Sequence, residues 1–128
     1  MIRTYVLVSA VSLAFTAAQA HAKPADYRFE LAGKPQLSSQ KDIVQVRLVH
    51  VTDGKPVTDA VIFESKADMG PAGMETMTAP VKAMPAKGGV YSFEVDPGMA
   101  GTWALHLAAK VQGEPETVRG TITADLVK

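Results

Sequence analysis

Cysteine is absent from the 128 residues. Disulfide stapling is therefore excluded, and so is thiolate ligation. Stability must come from a packed core or a bound ligand, and a metal site must draw on Met, His, Asp or Glu. An excess of charge of one sign is also missing, since thirteen basic residues face thirteen acidic ones. That balance gives no electrostatic footprint for nucleic acid or for an anionic membrane surface. Signatures of catalysis are lacking too. The serines at 38, 39, 65 and 92 carry no nucleophile-elbow pattern. There is no Gly-rich phosphate loop and no HExxH. The scattered acids form no paired acid–base site, and the chain reads as a non-enzyme.

One long apolar run exists, at the start. In MIRTYVLVSAVSLAFTAAQA, Arg3 precedes an apolar stretch from Tyr5 to Phe15, and Ala18-Gln19-Ala20 forms an A-x-A site. This is the pattern of a cleavable secretory signal. A bilayer span needs about 20 apolar residues, more than this run supplies. The expectation is an exported, periplasmic protein with a signal over 1–20, cleaved after Ala20 or, at a second site, after Ala22. No later run could span a bilayer, so the mature chain is expected to have no membrane span. Removal of 1–20 leaves about 108 residues, the size of one domain, and that domain is expected over 23–128. Loss of Arg3 leaves twelve basic and thirteen acidic residues, a net charge of about −1.

What remains alternates with period two rather than 3.6. Tyr27, Phe29 and Leu31 alternate with Arg28 and Glu30. Val44, Val46, Leu48 and His50 share a face of 42-DIVQVRLVH-50. Val61, Phe63 and Ser65 oppose Ile62, Glu64 and Lys66. Tyr91, Phe93 and Val95 form one side of 90-VYSFEV-95. Trp103, Leu105, Leu107, Ala109 and Val111 share a face, with His106 and Lys110 opposite. Val118, Ile122 and Ala124 lie on a last strand. A short run, Val81 to Met84, completes about seven strands. Turns rich in Gly and Pro separate them, at 53-DGKPV-57, 85-PAKGG-89, 96-DPGMAG-101 and 112-QGEP-115. The pattern predicts an all-β, immunoglobulin-like antiparallel sandwich in which Trp103 packs without a disulfide. The stretches 33–41 and 67–80 read as polar or turn-rich loops.

The second of these, 67-ADMGPAGMETMTAP-80, holds Met69, Met74 and Met77. Thioether sulfur is a soft, neutral ligand that prefers Cu(I), and by the same softness Ag(I), over Zn(II), Mg(II) or Ca(II). It binds without competition from protons and is not lost to disulfides. Gly70, Pro71 and Gly73 would let the segment curl three sulfurs around one ion. Two other readings stay open. The methionines can cap the core as flexible gap fillers, or form an adaptable surface for a partner. Met99 and Met84 are candidates to complete a site, because loops at one end of a sandwich converge. Asp68 and Glu75 read as solubilising charges. His21, if it becomes the mature N-terminus, offers an amine and a ring nitrogen to Cu(II), with His50 or His106 as the second ligand. Cleavage after Ala22 removes that arrangement. Otherwise His50 reads as a partly exposed edge residue and His106 as solvent-facing.

The segments 53-DGKPVTDAVI-62, 67-ADMGPAGMETM-77 and 88-GGVYSFEVDPGMAGTWALHLAAKVQG-113 together resemble the YtkA-like, or FixH-like, family of exported bacterial proteins. The resemblance spans about residues 42–124. It implies a periplasmic domain that accompanies heavy-metal efflux systems, copper and silver ones especially, with an adaptor or transporter as partner. Met69, Met74 and Met77 match the loop methionines of such proteins, and Met99 matches a methionine before the Trp strand. The resemblance favours Cu(I) or Ag(I) handling. The rival reading is a docking module for the same partners that never touches metal.

Overall fold

A computed structural model describes residues 26–128. The signal segment, its two cleavage sites and His21 lie outside the described residues. Nine strands follow one another: β1 (Tyr27–Leu31), β2 (Gln36–Ser38), β3 (Lys41–His50), β4 (Val61–Met69), β5 (Met74–Ala79), β6 (Val81–Ala83), β7 (Tyr91–Val95), β8 (Gly101–Lys110) and β9 (Val118–Leu126). One sheet runs β1-β3-β7-β6 with β2 paired to β3, and the other runs β5-β4-β8-β9. All pairings are antiparallel. Leaving out β2, the order is that of an immunoglobulin sandwich, A-B-E-D facing C′-C-F-G. Among the described residues no helix is long and apolar enough to cross a membrane.

The alternating residues are the core. Val44, Val46 and Leu48 from β3 and Tyr91, Phe93 and Val95 from β7 face Trp103, Leu105, Leu107 and Ala109 from β8. Val118, Ile122, Ala124 and Leu126 close the β9 side. Two polar anchors hold this core in place. The buried Tyr91 hydroxyl donates to the Val57 carbonyl at 2.8 Å and accepts from the Ala60 amide at 3.1 Å. It thereby pins the connection between β3 and β4 to β7. The Trp103 indole donates to the Met99 carbonyl at 3.1 Å, a partner that lets its polar edge be buried without a disulfide beside it.

Three local features depart from the pattern reading. Residues 33–41 are not all loop, because β2 pairs with β3 through a two-residue turn, Ser38↔Lys41. Ser39 and Gln40 both take positive φ, 51° and 68°, the geometry of a tight hairpin turn that usually announces itself with Asn-Gly. Residues 67–80 are not a loop either. Ala67–Met69 ends β4, Met74–Ala79 is β5, and the turn is a single 3-10 turn at Gly70–Ala72 closed by Gly73. In β4, a register shift between Ile62 and Glu64 breaks the alternation and leaves Phe63 half-exposed while Ile62 packs on the core.

Candidate functional site

The methionine segment is a β-hairpin at one edge of the second sheet. Asp68 pairs with Thr78 and Ala67 with Ala79, but Met69 pairs with Met74. The shift between Asp68 and Met69 bulges the hairpin out at its tip. Sequence dictates the turn. Pro71 suits the start of a short helical turn. Gly73 takes the left-handed conformation, φ 76°, with its amide donating to the Gly70 carbonyl at 2.8 Å.

The three segment methionines meet three different environments. Met69 is 2% exposed and belongs to the core. Its terminal methyl lies 2.7 Å from where a Cβ on Gly101 would be, so a side chain there would push it aside, and the φ of 152° at the start of β8 favours glycine. Met74, its register partner, is half-buried and packs on the same core. Met77 is 37% exposed, further along β5. Met99 is 40% exposed, two residues before Gly101, on the turn whose carbonyl receives Trp103. Met84 is 39% exposed, just past β6. The fold thus brings Met69 and Met74 together across one hairpin and puts the Met99 turn beside them through Gly101. Met77 lies on the hairpin's open arm, and no contact places Met84 with the others.

Beneath the hairpin sits an arrangement that pattern reading missed. The His106 ring on β8 reaches the Asp68 carboxylate through Nε2 at 2.7 Å and the Thr121 hydroxyl through Nδ1 at 2.9 Å. The other Asp68 oxygen accepts the Gly70 amide at 2.8 Å. This Gly70 bond, with the His106 ring, holds the Asp68 carboxyl below the usual carboxylate range despite partial burial. Asp68 is therefore no mere solubilising charge, and His106 does not face solvent without partners. Asp68 ties the turn to β8, and His106 carries the tie on to β9. Alternation does place Asp68, His106 and Thr121 on outward faces, but only strand register makes them neighbours.

His50 ends β3. Its Nδ1 lies 2.7 Å from the Thr52 hydroxyl and 3.3 Å from Asp53, and its ring meets Tyr27 edge-on at 5.2 Å. His50 is half-buried, but β3 lies between β1 and β7, so it is not on a sheet edge. His50 and His106 lie in different sheets. Among the described residues no three His, Asp or Glu side chains gather as a metal-binding group.

A family model described as YtkA-like matches residues 21–108. Comparison with curated proteins and with solved structures finds no match.

Proposed function

The chain belongs to the YtkA-like family, and we propose that this protein binds soft monovalent metal ions, Cu(I) or Ag(I), through thioethers of the β4–β5 hairpin. The observation that carries the reading is the Met69↔Met74 pair across a tight Gly-Pro turn, with Met77 on the same hairpin. Met77 is open to solvent and Met74 partly so; they are the entry ligands. Met69 is the inner one, and its engagement requires its methyl to leave Gly101. Met99 is the auxiliary ligand or a wall of the site. Such a site releases its ion readily, because neutral thioethers on an exposed edge hold it without charge. That suits delivery or buffering in the periplasm for an efflux or assembly system, with its adaptor or transporter as the receiving partner.

The exposure of Met77, Met84 and Met99 favours a second reading, in which the same side chains form an adaptable apolar surface for that partner and bind no metal. Anaerobic competition against a chromogenic Cu(I) probe separates the two. The wild type is compared with Met74→Ile/Met77→Ile, which leaves the buried Met69 in place. Competition by the wild type, lost in the double variant, supports the metal reading. No competition, or equal competition by a folded variant, rejects it.

A further inference from the structure

Five strands lie at the edges of the two sheets, and they differ: β2 has three residues beside β3. β6 has three residues and β1 has five. β5 is broken by the bulge at its hairpin. β9 is the long regular one. Its nine residues pair with β8 without a break, from Gly101↔Leu126 to Ala109↔Val118. In an antiparallel pair every second residue of the outer strand turns its backbone N–H and C=O away from its neighbour. β9 therefore carries a row of backbone donors and acceptors that no further strand meets among the described residues.

β1, in the other sheet, flanks the first part of β9. The Tyr27 hydroxyl donates to Glu114 at 2.9 Å, and the Phe29 ring lies over Gly120. Beyond Leu31 the chain turns back, with the Ala32 amide donating to Gln45 at 2.8 Å. The departure leaves a crevice of about 420 Å³ between Leu31–Pro35 and Thr123–Asp125. Thr123, Ala124 and Asp125 of β9 line this crevice.

The outward side chains of β9 are Arg119, Thr121, Thr123 and Asp125, all exposed. Placed antiparallel to a copy of itself about Ile122, the strand sets Arg119 opposite the copy's Asp125 and Thr121 opposite the copy's Thr123. Each pair occurs twice by symmetry. Opposite charges and Thr–Thr pairs are the cross-strand combinations that stabilise a sheet. A shift of two residues in either direction removes both charge pairs. The nearest intramolecular partner of Arg119 is Glu64, at 3.4 Å on the exposed surface, a contact weak enough to exchange.

We propose that the β9 edge is a self-complementary interface, on which a second copy of this chain adds its own β9 to form a symmetric dimer with one continuous eight-stranded sheet. Such an interface is isologous, so each reversal acts twice. The test is sedimentation velocity over a dilution series of the mature protein at low salt. Wild type is compared with Arg119→Asp, Asp125→Arg and the double swap Arg119→Asp/Asp125→Arg. Far-ultraviolet circular dichroism checks the fold of each, and Glu64→Gln controls for the lost internal contact. The expected result is a concentration-dependent dimer for wild type and Glu64→Gln. Each single reversal should dissociate about tenfold more readily or worse, and the double swap should restore association. A monomer at every concentration overturns the proposal. So does a dimer that the single reversals leave unchanged, or one that the double swap fails to restore.

Discussion

The Asp68 carboxylate and the His106 ring meet at 2.7 Å although 38 residues separate them in the chain. The contact joins the tip of the methionine hairpin to a central strand of the sheet. Its other carboxylate oxygen holds the Gly70 amide at 2.8 Å, so one side chain both shapes the turn and anchors it.

Removing that anchor should loosen the hairpin and little else. His106→Ala is expected to cost about 0.5–1.5 kcal/mol, the range of a net hydrogen bond. Asp68→Ala should cost more, because it also frees the Gly70 amide. Hydrogen exchange read by NMR should quicken at Gly70 and Gly73 in both variants, while Val44, Val46 and Leu48 stay protected. Faster exchange throughout the core would refute a local role.

Much of the sandwich could be read from alternation alone, since Val44, Val46 and Leu48, or Tyr91, Phe93 and Val95, announce their buried face. β2 and β5 could not. β2 turns through Ser39-Gln40, whose residue types do not advertise the positive φ they adopt. β5 is exposed along most of its length, so no apolar period marks it. The same limit hid the site's polar support. Asp68, His106 and Thr121 lie on three strands, and only register brings them together. The methionines were legible as a cluster, but their division into buried Met69, half-buried Met74 and open Met77 depends on the hairpin bulge.

Gly101 and Met69 form a pair in which each limits the other. A Cβ at 101 would lie 2.7 Å from the Met69 methyl, and the backbone there has φ 152°. Gly101→Ala should therefore destabilise by about 1–3 kcal/mol, the usual cost of overpacking. Met69→Ala alone should cost about 2–5 kcal/mol, because it opens a cavity in the core, but the double variant should lose less than the sum of the two, because the clash is gone while the cavity and the backbone preference remain. Urea unfolding of the two single variants and the double variant gives the coupling. Strict additivity would mean that the two residues do not press on each other.

Tyr91 makes two hydrogen bonds in the core, to Val57 and Ala60. Tyr91→Phe keeps the ring and leaves a buried carbonyl and a buried amide to find new partners. A loss of about 1–3 kcal/mol follows from the cost of stranding buried polar groups. Chemical denaturation measures it. A variant as stable as wild type would show that the β3–β4 connection needs no such pin.

Asp42 should make stability depend on pH in the direction opposite to most carboxylates. It is 1% exposed at the start of β3. One oxygen accepts the Val127 amide at 3.3 Å and the other has no partner. Burial pushes its pKa up, and the Val127 bond only partly opposes this. The folded chain therefore holds the Asp42 proton to higher pH than the unfolded chain does. Its contribution to stability is full below the ordinary carboxylate range and is lost as pH rises through the raised folded value. Asp42→Asn removes the charge, so it should gain on wild type as pH climbs from 4 to 7. Unfolding midpoints of both proteins across that range decide it. A constant difference between them would show that Asp42 does not titrate differently on folding.

Peroxide footprinting tests the hairpin chemistry without any copper probe. The sulfur lone pair attacks a peroxide oxygen, breaking the O–O bond and releasing water, so oxidation should follow access to sulfur. Met77, Met84 and Met99, all well exposed, should form sulfoxide first, Met74 more slowly, and Met69 last, since its side chain is closed in by Gly101 and the core. Ag(I) occupies the same lone pair and, unlike Cu(I), does not turn over with peroxide. If thioethers of the hairpin hold the ion, Ag(I) should slow oxidation at Met74 and Met77 but leave Met84 at its own rate. Peptide mass spectrometry after timed quenching reads each site separately. Equal protection of Met84 would point to silver binding any exposed thioether. No protection anywhere would leave the order of exposure intact and remove the hairpin as a soft-metal site.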